Sequence, residues 1–222
     1  MKNKVIGITA DIKDKFFEIE KFYFDSILKS GGIPMMLPMV NNKINIKKIC
    51  SVVDGIIISG SRDIDPKFYG QKKTKKINSL DIKRTLSEFA YIKEIYSNKK
   101  KKILGICGGM QLINVFFKGT LIQDIKSHKA DMMDHIKTKK HKIDIFEKTL
   151  LKKIFKSDTI IVNSFHHQAV NKIGKNLIAS SIAKDGIIES IESLDMKIIG
   201  VQWHPELIKN QKNLGLFNWL LN

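Results

Sequence analysis

The sequence predicts an α/β protein with a central, mostly parallel sheet, helices on both of its faces and a strand-rich C-terminal half. Three observations lead there. The β-branched run Gly55-Ile-Ile-Ile-Ser59 is of the kind a parallel sheet buries on both faces, and the short apolar run Ile103-Leu-Gly-Ile106 reads as another buried strand. These runs alternate with segments whose apolar residues recur every three or four positions, as helices require. From Lys142 onward the pattern changes to closely spaced extended runs, with Asp185-Gly186 as a hairpin signal between two of them.

Val5 to Thr9 reads as the first strand. A helical pattern follows through Phe16, Ile19, Tyr23 and Ile27 and stops at Gly31-Gly32, the beginning of a βαβ unit. Ile33 to Pro38 is extended but carries two prolines, which assigns it to an edge or a strand end. A short helix over Ile44 to Val52 leads into the Gly55 strand. After that strand comes the polar loop Ser59-Gly60-Ser61-Arg62-Asp63, at the kind of strand end where α/β sites assemble. Gln71 to Ser79 is a lysine-rich loop expected to be mobile. A helix from Ile82 to Tyr96, with Leu86, Phe89, Ile92 and Tyr96 on one face, feeds the strand at Ile103. An apolar helix follows Cys107, and Gly119 to Asp124 is a turn with a short extended piece. Lys126 to Lys140 is a polar loop. A short helix at Leu150 to Phe155 and strands at Thr159 to Asn163, Leu177 to Ala183, Ile187 to Ile191 and Ile198 to Gln202 complete the second half, before a closing helix over Leu214 to Leu221.

The 222 residues fit one domain spanning positions 1–222, with no internal repeat and no linker. No segment approaches the roughly 18–20 apolar residues of a membrane span, and the apolar start is too short for a signal peptide. Two cysteines, Cys50 and Cys107, cannot build a disulfide framework, so a cytoplasmic location is expected. The formal charge of +17 raises nucleic-acid binding, but of the 39 basic residues only Arg62 and Arg84 are arginines, and the lysines are spread over the whole chain. Nucleic-acid readers more typically cluster arginine for bidentate contacts. Neither a nucleic-acid nor a membrane partner is expected.

The chemistry centres on Gly105-Ile-Cys107-Gly-Gly109. A glycine-flanked cysteine between a buried strand and an apolar helix is the sequence form of a nucleophile elbow, where the two limbs approach too closely for flanking side chains. The helix N-terminus behind Cys107 favours negative charge on its sulfur and offers N–H groups to an oxyanion. A base is needed, and His204 in Gln202-Trp-His-Pro-Glu206 fits best, since it follows a buried strand and Glu206 two residues on can orient its ring. His166 or His167 in Asn163-Ser-Phe-His-His-Gln168 is the competing choice. His128, His135, Asp131 and Asp134 share a loop, but their spacing fits no compact ligand set, so no metal is expected there.

These segments, with Asp185-Gly-Ile-Ile-Glu189, resemble the class I glutamine amidotransferase-like superfamily, and more narrowly its peptidase C26 or γ-glutamyl-γ-aminobutyrate hydrolase branch, over nearly the whole chain. The resemblance implies a three-layer, flavodoxin-like fold. It also implies a Cys107-His204-Glu206 triad that cleaves γ-glutamyl amides through a thioester, with no metal or organic cofactor. Backbone N–H groups of Gly60, Ser61 and Gly108 would form the oxyanion hole, and Gln111 and His166 would line the substrate pocket. The family's loop is commonly Pro-Gly-Gly where this chain has Ser59-Gly60-Ser61; arginine is frequent where it has Gly108, and Arg-Asp where it has Arg84-Thr85. Small-molecule γ-glutamyl compounds are the expected substrates, and a homodimer is left open. The alternatives are a glutaminase that delivers ammonia to a separate synthetase partner, and a catalytically silent binding protein.

Overall fold

The computed structural model describes residues 4–128, 132–208 and 210–222. In chain order, β1 (Val5–Thr9) leads through a hairpin of β2 (Asp11–Lys13) and β3 (Phe16–Glu18) to α1 (Lys21–Lys29), β4 (Ile33–Leu37), α2 (Lys43–Val52) and β5 (Gly55–Ile58). Next come α3 (Ile82–Ser97), β6 (Lys102–Ile106), α4 (Gly108–Phe116), β7 (Leu121–Ile122) and α5 (Ile125–His128). The remainder is β8 (Lys140–Ile145), α6 (Leu150–Phe155), β9 (Thr159–Asn163), β10 (Ala169–Val170), β11 (Leu177–Ala183), β12 (Ile188–Ser193), β13 (Ile198–Val201) and α7 (Gln211–Leu221).

The main sheet runs β4-β1-β5-β6-β13-β12-β11-β8-β9. The first five strands are mutually parallel and the rest are antiparallel. Alternation along the parallel strands divides the core into two layers. Ile6, Ile8, Ile57, Leu104, Ile106, Ile199 and Val201 face α1, α6 and α7. Their neighbours Ile56, Ile58, Ile103 and Ile198 face α2, α3 and α4. The prolines of Ile33–Pro38 lie on or next to the edge strand β4, where a missing N–H costs no ladder bond. Among the described residues, no helix is long and apolar enough to cross a membrane.

Local spacing misled the sequence reading in two places. Phe16 does not begin a helix: with Phe17 and Glu18 it forms a strand paired to Asp11–Lys13, its ring is 73% exposed, and α1 starts only at Lys21. Leu86 is exposed, and α3 instead buries Arg84, Ser87, Glu88, Tyr91, Ile92 and Ile95. The Gln71 to Ser79 loop touches the segment after β7, with Thr74 N–H donating to Gln123 and Lys76 pairing with Asp124 at 2.5 Å.

Candidate active site

The elbow is built by close packing. A Cβ on Gly105 would come within 2.5 Å of Ile113 Cδ1 and 2.9 Å of the Gly109 carbonyl, and one on Gly109 would lie 2.0 Å from the Ile58 carbonyl oxygen. Only glycine at both positions lets α4 begin against β5 and β6. Between them, Cys107 is held at φ +51° and ψ −110°, a strained conformation of the kind found where a side chain must be presented rather than packed. Its N–H is fixed by the Val201 carbonyl at 2.8 Å, so the end of β13 sets the height of the turn.

That same strand end delivers His204. Asn163 brackets it, donating to its carbonyl at 2.9 Å and accepting from its N–H at 2.8 Å. Glu206, in the short 3-10 turn Pro205–Leu207, accepts from His204 Nδ1 at 2.6 Å. This leaves the opposite nitrogen for the thiol. Burial disfavours the imidazolium, but negative charge on the Cys107 sulfur and on Glu206 outweighs it and holds the His204 pKa up to about 11. His204 and Cys107 thus form a polarised pair, with Glu206 charging the far side of the ring.

The Ser59–Ser61 loop closes over this pair. A Cβ on Gly60 would stand 3.0 Å from His204 Cε1 and 3.9 Å from Cys107 Cβ. Two anchors fix the loop from behind: Ser59 donates its N–H to Thr9 Oγ1 and its hydroxyl to the Thr9 carbonyl at the end of β1, and Arg84 donates to Ser59 Oγ and to the Gly60 carbonyl at 3.0 and 3.1 Å. Arg84 is only 1% exposed and is balanced by Glu88 at 3.0 Å and Asp11 at 3.4 Å. The Gly60 N–H is already taken by the Tyr23 hydroxyl at 2.9 Å. Of the three expected oxyanion donors, the free ones are therefore narrowed to Ser61 and Gly108, the latter being the first residue of α4, where an N–H has no acceptor within the helix. Ser61 and Gly108 are in intimate contact, for a Cβ on Gly108 would meet Ser61 Oγ at 2.3 Å and Ser61 N at 2.9 Å.

A cavity of about 460 Å³ opens beside the pair, lined among others by Asp11, Glu18, Glu20, Tyr23, Arg62 and His204. Tyr23 and Arg84, which the sequence did not mark as site residues, thus border the cavity. Tyr23 carried no signal beyond helical apolar spacing, whereas Arg84 is one of only two arginines in a lysine-rich chain. The two expected pocket residues lie deeper. Gln111 donates to the Gln168 carbonyl and to Gln202 Oε1, and Gln202 in turn reaches Cys107 Sγ at 3.6 Å. His166 is buried, with Nδ1 on the Gln168 carbonyl at 3.0 Å and Nε2 toward Glu189, so its ring lies apart from the Cys107–His204 pair. His167 pairs with Asp63 at 2.8 Å. Of the loop residues weighed as metal ligands, His128 is exposed, Asp134 pairs with Lys126 at 2.6 Å, His135 is buried, and Asp131 lies outside the described residues.

The mostly parallel central sheet with helices on both faces is the class I glutamine amidotransferase fold. Two solved structures carry the same fold: a protein described as a GMP synthase component from Thermoplasma acidophilum (TM-score 0.70, 14% identity, covering 100% of this chain and 94% of that one) and a glutamine amidotransferase from Thermotoga maritima (TM-score 0.64, 11% identity, covering 93% and 77%). The Peptidase C26 family profile matches residues 4–206, and the chain belongs to that family. Among its relatives are a glutamine amidotransferase-like protein of Rickettsia prowazekii, 35% identical over 100% of this chain and 98% of the relative, and NtpR of Enterococcus hirae, 34% identical over 90% and 86%. A γ-glutamyl-CDP-amidate hydrolase of Campylobacter jejuni is 31% identical over 74% of this chain and 68% of its own length.

Proposed function

We propose that the protein is a stand-alone cysteine hydrolase of small γ-glutamyl amides, working in the cytoplasm through a γ-glutamyl thioester. The observation that carries this reading is a strained cysteine at a helix N-terminus beside a histidine whose far nitrogen is bound to a buried glutamate at 2.6 Å. Cys107 Sγ attacks the γ-carbonyl carbon, and the resulting oxyanion is met by the N–H groups of Ser61 and Gly108. His204, carrying the proton taken from the thiol, gives it to the leaving nitrogen; the C–N bond breaks and the amine departs. Water then adds to the thioester, His204 accepts its proton, the C–S bond breaks, and glutamate leaves as the thiol is restored. The cavity offers cationic Arg62 together with anionic Asp11, Glu18 and Glu20, which suits the carboxylate and ammonium of a glutamyl head group. The Campylobacter jejuni relative, a hydrolase of a γ-glutamyl compound, supports the same substrate class.

The second reading, a glutaminase serving a synthetase, rests on the fold shared with the GMP synthase component. One experiment separates the two. The purified chain is incubated with glutamine, γ-glutamyl-GABA and other γ-glutamyl amides, and released glutamate is followed beside Cys107→Ala. Turnover of at least one amide by the chain alone, lost in the variant, is expected; no turnover of any of them would overturn the hydrolase.

A further inference from the structure

A second buried cluster lies away from the Cys107–His204 pair, beneath the antiparallel half of the sheet. His135 comes from the loop before β8, His141 from β8, His166 from the segment after β9, and Glu189 from β12. All four are buried, and Glu189 and the His135 side chain are fully so. The ligand atoms of His135, His166 and Glu189 lie within 4.8 Å of one another.

In this cluster two neutral imidazoles turn a lone pair, not a proton, toward the carboxylate. His166 Nδ1 is 3.0 Å from the Gln168 carbonyl and must donate to it, because a carbonyl only accepts; in the neutral ring Nε2 is then a bare lone pair. That lone pair faces a Glu189 carboxylate oxygen 3.5 Å away, and neither atom has a hydrogen-bond partner. The same logic holds for His135. Its Nε2 is 2.9 Å from the Asp185 carboxylate and donates there, leaving Nδ1 directed at the same Glu189 oxygen, 3.7 Å away. Ser164 Oγ is 3.2 Å from that Nδ1, but its own proton goes to the His135 carbonyl at 2.7 Å. Both Glu189 oxygens and both His141 nitrogens also lack partners, although His141 Nε2 is only 3.1 Å from Glu189. Two imidazole lone pairs, of His166 and His135, thus converge on a buried carboxylate whose nearest possible proton donor is His141 Nε2 at 3.1 Å, and those two facing lone pairs cost several kcal/mol unless a cation occupies the centre.

We infer that His135, His166 and Glu189 bind a divalent transition-metal ion of the zinc class, with the fourth position left to water or an exogenous ligand. Nitrogen and oxygen bonds of about 2.0–2.2 Å at tetrahedral angles place donors roughly 3.3–3.6 Å apart, and the two histidine-to-glutamate separations, 3.5 and 3.7 Å, bracket the upper end of that range. The outer nitrogens repeat the pattern of metal-ligating histidines, one bound to a carboxylate and one to a backbone carbonyl. Imidazole with a single carboxylate suits zinc better than magnesium or calcium, which prefer all-oxygen shells. The ion would clamp β12 to the two loops that flank β8 and β9. It would also hold the Gln168 carbonyl, which anchors Gln111 and, through Gln202, reaches the Cys107 sulfur.

The test counts metal in the full chain purified without added metal. Close to one zinc per chain is expected by elemental analysis, in the wild type and equally in Cys107→Ala. Removal by a chelator should lower the thermal midpoint, added Zn²⁺ should restore it and Mg²⁺ should not, and Co²⁺ in place of zinc should give the visible absorption of a tetrahedral site. Glu189→Gln and His166→Asn should each lose the metal. Metal-free protein whose midpoint ignores both chelator and Zn²⁺ would overturn the site, and the cluster would then be held by protons alone. Loss of the metal in Cys107→Ala would move the ion to the thiol and overturn it equally. These readouts do not depend on turnover, so they stand apart from the hydrolase reading.

Discussion

Replacing Arg84 with methionine tests whether the buried guanidinium acts on the active site chiefly through the Ser59–Gly60 loop. The substitution leaves Glu88, whose side chain is 3% exposed, without the partner it holds at 3.0 Å. At that distance, and with an effective dielectric near 20, the lost attraction is about 5 kcal/mol. Breaking one half of a buried pair typically costs about 3–5 kcal/mol, a large share of the roughly 5–15 kcal/mol that holds a domain folded. Adding Glu88→Leu removes the stranded charge, and the double variant should return to within about 1–2 kcal/mol of wild type. Activity should not return with it, since Ser59 Oγ and the Gly60 carbonyl still lack their donor. A loop displaced by about 1 Å can cost on the order of 100-fold in rate. Urea unfolding, compared at equal slope, reads the stability, and steady-state release of glutamate from the best amide reads the rate. A double variant as unstable as Arg84→Met, or one with wild-type turnover, would refute the reasoning.

Two further outcomes follow from the same geometry. Iodoacetamide at neutral pH should label Cys107 and spare Cys50, whose thiol burial pushes up to about 12; peptide mapping that found Cys50 labelled first would contradict the elbow assignment. Glu206→Gln should lower kcat/KM by about 10²–10⁴-fold and should also change how stability depends on pH. The folded His204 pKa is raised to about 11, above the roughly 6.5 of an unfolded chain. The stabilisation from its charged form is therefore complete below about pH 6.5 and is lost as pH rises through the folded value. Without the Glu206 charge the loss finishes at lower pH, so the stability gap between wild type and variant should be widest near neutrality and shrink toward about pH 11. A gap that widened with pH would be inconsistent with this account.

What the sequence made legible was whatever is encoded locally. The elbow is written in five consecutive residues because its constraint is steric and acts between near neighbours. His204 and Glu206 are two apart, so their pairing could be read directly. The Phe16 to Glu18 strand was missed because Phe16 and Ile19 happen to continue the three- and four-residue spacing of Tyr23 and Ile27, and periodicity cannot see the pairing with Asp11–Lys13. Arg84 was noted only beside the Thr85 departure, and its task, holding a loop 24 positions earlier in the chain, exists only after β5 and α3 have packed. His135, His141, His166 and Glu189 come from four separate elements with irregular spacing. No window of sequence contains them together, and a loop that reads as merely solvated supplies one of the most deeply buried groups.

The contact between Ser61 and Gly108 makes the two positions a single steric unit. The room that a side chain at position 108 would need is filled here by the serine of the facing loop. Since a Cβ at Gly108 would also crowd Ser61 N and O, at 2.9 and 3.1 Å, a larger residue there must arrive with a smaller one at 61 and a loop that steps back. Any library that varies one position without the other will sample mostly broken oxyanion holes, and a change of selectivity will come through paired substitutions.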